Sequence, residues 1–215
     1  VKELVENSID AGARRIEVAI EGGGSQLIRI TDDGRGIPRD QLALALSRHA
    51  TSKIASLDDL ESLMSMGFRG EALPSIASVS HFVLRTRTRD RDSGTEIRVN
   101  GGLIAAEVEV PAAPGTVIEV NDLFYNTPAR RKFLNAPASE LRAGVRMIES
   151  YALARPDVGW RLVVDQRERF DWRAAASTRE RAAQVWGARH ADQLLEAHAE
   201  RDGYAVFAHL ACSGR

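Results

Sequence analysis

Hydrophobic and polar positions alternate along this chain with two different periods. At the start of the chain, apolar residues recur at helical spacing over residues 1–11 and share one arc of a helix. Directly after this segment, two short apolar-rich stretches flank a glycine-rich turn, which is typical of a β-hairpin. The two periods together predict a fold that contains both helices and strands.

The same patterns assign elements to most of the chain. Helices are predicted at residues 1–11, 37–46, 71–79, 128–133, 139–153 and 178–186, and a further short helix is predicted to begin at the capping-box residue Ser56. Strands are predicted at residues 16–20, 27–30, 81–88, 94–99, 103–110, 115–121, 159–165, 168–172 and 204–211. This order favours an α+β architecture with helices on one face of a mixed, mostly antiparallel sheet.

A restart of the pattern near residues 174–180 predicts a domain boundary. We expect one domain over residues 1–175 and the beginning of a second over residues 176–215. Because the chain opens inside a predicted helix without a methionine, we also expect it to be an internal part of a longer protein.

The polar face of the first helix has two interpretations. Glu3, Glu6, Asn7 and Asp10 fall opposite the apolar arc, with only Lys2 beside them to offset their charge. They could form a solvated outer face. Alternatively, Glu3 and Asn7, four residues apart, could point at one cation and one activated water.

Composition narrows the function classes only slightly. Lys plus Arg number 29 and Asp plus Glu number 30, so the net charge of −1 neither favours nor excludes a nucleic-acid partner. The single cysteine, Cys212, excludes an internal disulfide and fits a reducing compartment. No apolar run reaches the length of a membrane span, so we expect no membrane association.

Two glycine-rich groups carry candidate chemistry. Asp32, Gly34 and Gly36 follow a strand as Asp-x-Gly-x-Gly, where a carboxylate can accept from an exocyclic amine such as adenine N6 and glycines let backbone approach a flat base. An ordinary glycine-rich turn is the alternative.

The second group precedes a predicted helix. Gly67, Phe68, Arg69 and Gly70 lead into Glu71–Leu73, so backbone N–H groups, the helix dipole and the arginine could bind phosphate. Upstream, Thr51, Ser52 and Lys53 offer donors on a long segment that could close over a ligand. A helix–helix turn and a surface connection are the alternatives. The sequence contains no Walker A motif and no Cys/His cluster with metal spacing.

Six motifs occur in an order that resembles one known family. They are KELVENSIDAGA (2–13), DDGRGI (32–37), RHATSKI (48–54), GFRGEAL (67–73), PGTVIEV (114–120) and DLFYNTPARRKF (122–133). Together they resemble the ATPase region of MutL-family DNA mismatch repair proteins, within the gyrase, heat-shock chaperone, histidine kinase and MutL (GHKL, or Bergerat-type) ATP-binding superfamily. GFRGEAL and NTPARRKF are specific to the MutL branch.

The resemblance implies a fold and roles for individual residues. The fold would be the GHKL ATPase sandwich, followed by the start of a transducer domain of the ribosomal-protein-S5-like kind. Glu3 matches the general base and Asn7 the Mg²⁺ ligand, while the role of Glu6 stays open. The nucleotide-binding matches are Asp32, Gly34, Gly36, Thr51, Ser52, Lys53, Gly67, Phe68, Arg69, Gly70, Glu71, Ala72, Leu73 and Thr116.

The implied function is a DNA mismatch repair ATPase. It would bind and slowly hydrolyse Mg-ATP as a dimerisation switch that couples mismatch recognition to nicking or unwinding. The implied partners are a MutS-type mismatch-recognition protein, DNA bound without sequence preference, a second copy of the protein, and a nicking endonuclease or helicase, in the bacterial cytoplasm with nucleoid association.

Other classes stay open at this stage. A type II topoisomerase ATPase subunit shares the first helix and the Asp-x-Gly-x-Gly turn but gives no reason for GFRGEAL or NTPARRKF. A sensor kinase would have a phosphoacceptor helix upstream and no second domain. A nucleotide-gated DNA-binding scaffold without useful turnover differs from the leading interpretation only in turnover.

Two basic groups are candidate DNA contacts. One is the run Arg130, Arg131 and Lys132, and the other is the set Arg85, Arg87, Arg89 and Arg91, which is predicted to alternate along a strand. Solvated surface is the alternative for both. The family's segment before the first helix and most of its transducer domain are not in this sequence, so we expect this chain alone to bind nucleotide poorly.

Overall fold

The computed structural model describes residues 1–47, 71–201 and 204–211. The predicted short helix at Ser56 and the segment with Thr51–Lys53 and Gly67–Gly70 lie outside these residues.

Among the described residues, the predicted helices and strands occur in the predicted order, with a short helix at Ala188–Ala191 and a strand at Leu194–Arg201 in addition. The helices are α1 (Lys2–Asp10), α2 (Arg39–Ala45), α3 (Ala72–Ala77), α4 (Pro128–Arg131), α5 (Pro137–Ala154), α6 (Thr178–Trp186) and α7 (Ala188–Ala191), with a 3-10 turn at Gly22–Gly24. The strands are β1 (Arg15–Glu21), β2 (Leu27–Asp32), β3 (His81–Arg87), β4 (Gly94–Asn100), β5 (Leu103–Val110), β6 (Gly115–Asn121), β7 (Gly159–Val164), β8 (Arg167–Trp172), β9 (Leu194–Arg201) and β10 (Tyr204–Ala211).

Eight strands form one sheet in the order β5-β4-β3-β6-β2-β1-β7-β8. All neighbours pair antiparallel except β1 and β7, which are parallel. A parallel pair needs a long crossover connection, and here the chain between β1 and β7 includes most of the sheet and helix α5. The mixed, mostly antiparallel sheet that the sequence predicted is therefore confirmed.

The core lies on one face of this sheet. Alternate strand positions, such as Phe82, Leu84 and Ile97, are buried and pack with residues of α1 and α5 in one cluster. On the opposite face, charged side chains pair across strands, as Arg161 does with Glu17. The helices therefore pack on the apolar face of the sheet, and the charged face is left on the other side.

Three local expectations need correction. The stretch before the last strand, to which the sequence pattern assigned no helix or strand, contains strand β9, which pairs antiparallel with β10. Strand β3 ends at Arg87, so Arg89 and Arg91 lie in the following turn rather than on one strand face. Thr127 precedes α4, but its side chain makes no capping hydrogen bond.

The part of the chain after β8 has a small apolar cluster of its own. Ala182, Ala191 and Leu194 form it, and Leu153 at the end of α5 packs against it. Buried Arg181 connects this part to the sheet, because its guanidinium donates to the backbone carbonyls of Pro156 and Val158. Among the described residues, no helix combines the length and apolarity that a membrane crossing requires.

Candidate functional site

The predicted polar face of α1 contains both exposed and buried side chains. Glu3 is exposed and Asn7 is half-buried, whereas Glu6 is buried with only 7% of its surface exposed. The Tyr151 hydroxyl on α5 donates to Glu6 at 2.5 Å. The expectation that Glu6 shares an outer face with Glu3 and Asn7 is therefore wrong, because Glu6 turns toward the core.

Asp32 lies buried where β2 ends beside α1. Its carboxylate accepts a hydrogen bond from the Ser8 hydroxyl on α1 at 2.8 Å and one from the Gly34 N–H at 2.9 Å. Burial raises the pKa of the Asp32 carboxyl, while hydrogen bonds from Ser8, Gly34 and the Thr116 backbone offset part of that shift. These hydrogen bonds fix the orientation of the Asp32 carboxylate.

Thr116 belongs to a second buried group next to Asp32. It lies directly opposite Asp32 in the pairing of β6 with β2. Its hydroxyl is 3.2 Å from the hydroxyl of Thr86 on β3, which accepts from the Ile37 N–H at 2.9 Å. Strands β2, β6 and β3 and the loop after β2 therefore meet through these two threonines.

The glycines of the Asp-x-Gly-x-Gly turn allow close backbone contacts within the protein. A Cβ on Gly34 would lie 2.8 Å from the Cβ of Ala11 at the end of α1. Gly36 has φ +73°, and a Cβ there would lie 2.3 Å from the carbonyl oxygen of Arg87. These close contacts place the turn between the end of α1 and the end of β3.

Asp33 anchors the other side of this turn. Its carboxylate accepts from the backbone N–H groups of Arg14 at 2.7 Å and Arg15 at 2.8 Å, in the connection from α1 to β1. The Arg35 guanidinium donates to the Asp10 carbonyl at 2.7 Å. The loop over residues 32–37 is consequently held against the end of α1 from both sides.

The remaining predicted phosphate-binding residues border the part of the chain that is not described. Glu71 precedes α3 and is exposed, and Ala72 and Leu73, both half-buried, form its first turn. Gly67, Phe68, Arg69 and Gly70, together with Thr51, Ser52 and Lys53, lie outside the described residues. Helix α3 contacts α1, the helix that carries Glu3 and Asn7.

Two residues at the site were missed by the sequence reasoning. Ser8 is a polar residue beside the apolar arc of α1, and Thr86 continues the inward-facing series of Phe82 and Leu84 on β3. A polar residue at a position whose period predicts burial is the signal that could have identified both.

The basic run lies apart from these residues. Arg130 and Arg131 are on α4 and Lys132 caps its end; all three are exposed. None of the three forms an ion pair with another described residue. The neighbouring Phe133 side chain is 87% exposed. In contrast, Arg85 of the second basic group is paired with Glu96.

A cavity of about 520 Å³ lies beside α5 and the turn over residues 22–25. Arg131 lines it, but none of the described residues predicted to bind nucleotide does so. Within the described ranges, no cluster of three or more His, Cys, Asp or Glu side chains could hold a metal ion.

The described site therefore combines a buried, directed carboxylate at a strand end, a tightly packed glycine turn and a helix that presents an exposed carboxylate and an amide. A protein-family model for "Histidine kinase-, DNA gyrase B-, and HSP90-like ATPase" matches residues 1–123, more than half of the chain. Fold and site thus define an ATPase of this class.

Relatives narrow the class further. The chain is 57% identical over 162 residues to the DNA mismatch repair protein MutL of Xanthomonas oryzae pv. oryzae, which covers 75% of this chain and 26% of that protein. It is 44% identical over 214 residues to MutL of Chlorobaculum tepidum, covering 100% of this chain and 34% of the relative. The chain thus spans about a quarter to a third of the length of these curated relatives.

Solved structures agree with the sequence relatives. The structure titled "Aquifex aeolicus MutL ATPase domain complexed with ADP" is 34% identical, has a TM-score of 0.77, and is matched over 100% of this chain and 75% of that chain. The chain belongs to the MutL family of DNA mismatch repair proteins and corresponds to its ATPase region.

Proposed function

We propose that this chain binds Mg-ATP beside α1 and slowly hydrolyses it as a conformational and dimerisation switch in DNA mismatch repair. The observation that carries the proposal is the Asp32 carboxylate, which is buried and directed by Ser8 and Gly34 at the end of β2. A relative of known structure, the MutL ATPase domain of Aquifex aeolicus, is described as complexed with ADP, which supports a nucleotide as the ligand.

The hydrogen-bonding capacity of Asp32 fits an adenine base. A carboxylate offers about four acceptor positions, and the donors on the protein side are Ser8, Gly34 and the Thr116 backbone. At least one position therefore remains for an exocyclic amine such as adenine N6. Gly34 and Gly36 shape the turn around it, and Thr116 supports the same group through its contact with Thr86.

Phosphate binding is assigned to the segment that leads into α3. In this proposal, Gly67, Phe68, Arg69 and Gly70 supply donors to the phosphates, and Glu71, Ala72 and Leu73 belong to the start of the helix that follows them in sequence. Thr51, Ser52 and Lys53 belong to the segment that closes over the nucleotide. The contact of α3 with α1 supports this arrangement.

Magnesium fits the donors that the chain offers. Mg²⁺ commonly binds one or two protein oxygen ligands and completes its octahedral shell with substrate phosphates and water. The Asn7 amide oxygen on α1 would be one such ligand. When bound, Mg²⁺ would neutralise charge on the phosphates.

Catalysis is assigned to Glu3. Its carboxylate lies one turn before Asn7 on the same helix and is exposed. We infer that it orients the attacking water and accepts its proton, while the nucleotide-binding residues hold the γ-phosphate in line. Closure of the segment over ATP and its release after hydrolysis would give the switch.

The partners of the whole protein follow from the family and are also proposals. They are a MutS-type mismatch-recognition protein, DNA, a second copy of the protein, and a downstream endonuclease or helicase in the bacterial cytoplasm. The exposed cations Arg130, Arg131 and Lys132 fit a sequence-independent contact with DNA phosphates. The division into an ATPase domain over residues 1–175 and the start of a transducer domain over 176–215 fits the separate cluster around Leu194.

Nucleotide selectivity tests the site. In the intact protein, we expect calorimetric titration to detect ADP binding and much weaker GDP binding, because guanine presents a carbonyl where adenine presents its amine. Asp32→Asn should weaken ADP binding at least tenfold. Asp33→Asn is the matched control, since its amide oxygen can still accept from Arg14 and Arg15. Equal affinity for ADP and GDP, or full binding by Asp32→Asn, would contradict the proposal.

A further inference from the structure

A hydrogen bond between half-buried Tyr151 and buried Glu6 connects α5 to α1. The Tyr151 hydroxyl donates to the Glu6 carboxylate at 2.5 Å, and Glu6 is 7% exposed. Burial, followed by the hydrogen bond to Glu6, raises the pKa of Tyr151, so its hydroxyl keeps the proton that it donates. The Lys2 ammonium lies 3.7 Å from the same carboxylate.

These contacts give Glu3 and Glu6, which are nearly one helical turn apart, different environments. Glu6 is engaged by Tyr151 and Lys2, whereas Glu3 is exposed and forms no ion pair with another described residue. Glu6 is therefore engaged within the protein, whereas the Glu3 carboxylate is exposed and accessible to a ligand.

Helical geometry gives the pair a specific mechanical role. Successive residues turn by about 100° around an α-helix, so Glu3 and Asn7 lie on the arc between Glu6 on one side and Ser8 on the other. Glu6 accepts from Tyr151, and Ser8 donates to Asp32 at 2.8 Å. Two hydrogen bonds thus hold α1 at both edges of the arc that carries Glu3 and Asn7.

The tyrosine itself stands on a well-anchored helix turn. Ala152 next to it is fully buried in the main core. Leu153 packs against the separate apolar cluster of the following part of the chain. The end of α5 therefore has contacts to both parts of the chain and can serve as a fixed support for α1.

We propose that Tyr151, acting through Glu6, is a positioning residue that sets the rotation of α1 and thereby the placement of Glu3 and Asn7 at the nucleotide. The inference rests on the proposed ATP hydrolysis. With side chains about 5–6 Å from the helix axis, a rotation of roughly 10° moves a carboxylate by about 1 Å. A displacement of that size can lower a rate by up to roughly a hundredfold.

Single-turnover kinetics and nucleotide binding of the intact protein test this role. Tyr151→Phe keeps the ring and its packing and removes only the donated hydrogen bond. We expect its ATP hydrolysis rate to fall roughly tenfold or more, with ADP affinity and melting temperature close to those of the parent. Tyr125→Phe, on an exposed ring stacked on His81, is the matched control and should leave the rate unchanged.

Variants of Glu6 separate positioning from charge and from general stability. Glu6→Gln keeps an oxygen that can accept from Tyr151 and should retain most of the rate, while Glu6→Ala should lose as much as Tyr151→Phe. Adding Tyr151→Phe to Glu6→Ala should then lower the rate no further.

The outcomes are distinguishable from a failure of the proposed function. A parent protein that hydrolyses no ATP would refute the ATPase assignment itself. An active parent with an equally active Tyr151→Phe variant would overturn the positioning role alone. A rate that falls only in step with the melting temperature, or additive losses in the double variant, would also overturn it, because either result describes a structural contact.

Discussion

Gly34 shows how tightly single residues are packed at the site. An added Cβ there would lie 2.8 Å from the Ala11 Cβ, 2.9 Å from the Ala11 carbonyl oxygen and 3.0 Å from an Asp32 carboxylate oxygen. Two of these three atoms belong to the end of α1, which cannot shift without moving the helix. The residue therefore couples the position of the turn to that of α1.

We predict that Gly34→Ala destabilises the protein by about 1–3 kcal/mol and weakens nucleotide binding. Gly144→Ala is the matched control in α5, since its added Cβ would meet only Ile20 at 3.6 Å; removing a helical glycine should stabilise by up to about 1 kcal/mol. Urea unfolding and ADP titration measure both effects. Equal stability of the two variants would mean that the turn has room for a side chain.

Residues inside recognisable motifs could be placed in advance, and their neighbours could not. Asp32 and Gly34 stand out as an acid and a glycine after a strand. Ser8 and Thr86 stand out only as polar residues at positions whose period predicts burial, and only the folded chain shows that they meet Asp32 and Thr116. The burial of Glu6 was also hidden, because its partner Tyr151 lies 145 residues away in sequence.

At the scale of elements, the outer face of the sheet is stabilised by charge pairs across strands. Glu96 on β4 is 2% exposed and accepts from the Arg85 guanidinium at 2.9 Å and from Arg98 at 2.8 Å. The hydrogen bond from Arg85 is the largest cause that lowers the pKa of Glu96, and Arg98 adds to it. Ionised Glu96 therefore favours the folded state.

The pKa shift sets the direction of a pH dependence. Because the folded pKa of Glu96 lies below its ordinary value of 4.5, its contribution is complete above that pH and is lost as the pH falls through the folded value. Glu96→Gln should cost about 1–3 kcal/mol at pH 7 and progressively less below pH 4.5. Denaturant unfolding at several pH values measures this difference.

Glu168→Gln provides the comparison for an exposed pair. Glu168 accepts from Arg161 at 3.0 Å but is half-exposed, so its loss should cost less than about 1 kcal/mol. If Glu96→Gln destabilised the protein no more than Glu168→Gln, or if its cost grew as the pH fell, the contacts of Glu96 with Arg85 and Arg98 would not stabilise the sheet in the way described.

Helices and strands could be predicted from the sequence where turns bounded them and apolar residues recurred at a clear spacing. Strands β5 and β6 occupy the predicted residues, since turn-forming residues bound both stretches and the burial of β6 alternates along most of its length. Strand β9 was missed because its sequence is rich in Ala and Glu, which rarely mark strands. Its strand state depends on pairing with β10, a contact that local propensity does not contain.

At the scale of the whole molecule, the order of strands lay beyond the sequence pattern. The pattern predicted a mixed, mostly antiparallel sheet, but not that β6 lies between β3 and β2, nor that β7 is the strand that pairs parallel to β1. These pairings join segments far apart in the chain. They determine the site, because the insertion of β6 places Thr116 opposite Asp32.

Buried contacts also join the two parts of the chain. Arg181 on α6 donates to the carbonyls of Pro156 and Val158 just before β7, and β7 pairs with β1, which follows α1. Leu153 connects the same region to the end of α5. Contacts therefore run from α6 through the sheet and α5 to the helix that carries Glu3.

The proposed mechanism is tested most directly by Mg²⁺-dependent ATP hydrolysis of the intact protein, measured beside nucleotide binding for Glu3→Ala, Asn7→Ala and the control Asp92→Ala, which changes an exposed acid. We predict that Glu3→Ala abolishes turnover and keeps binding, that Asn7→Ala loses Mg²⁺-dependent binding, and that Asp92→Ala matches the parent. If Glu3→Ala and Asn7→Ala hydrolyse ATP like the parent, the exposed face of α1 is solvated surface and the proposed mechanism is wrong.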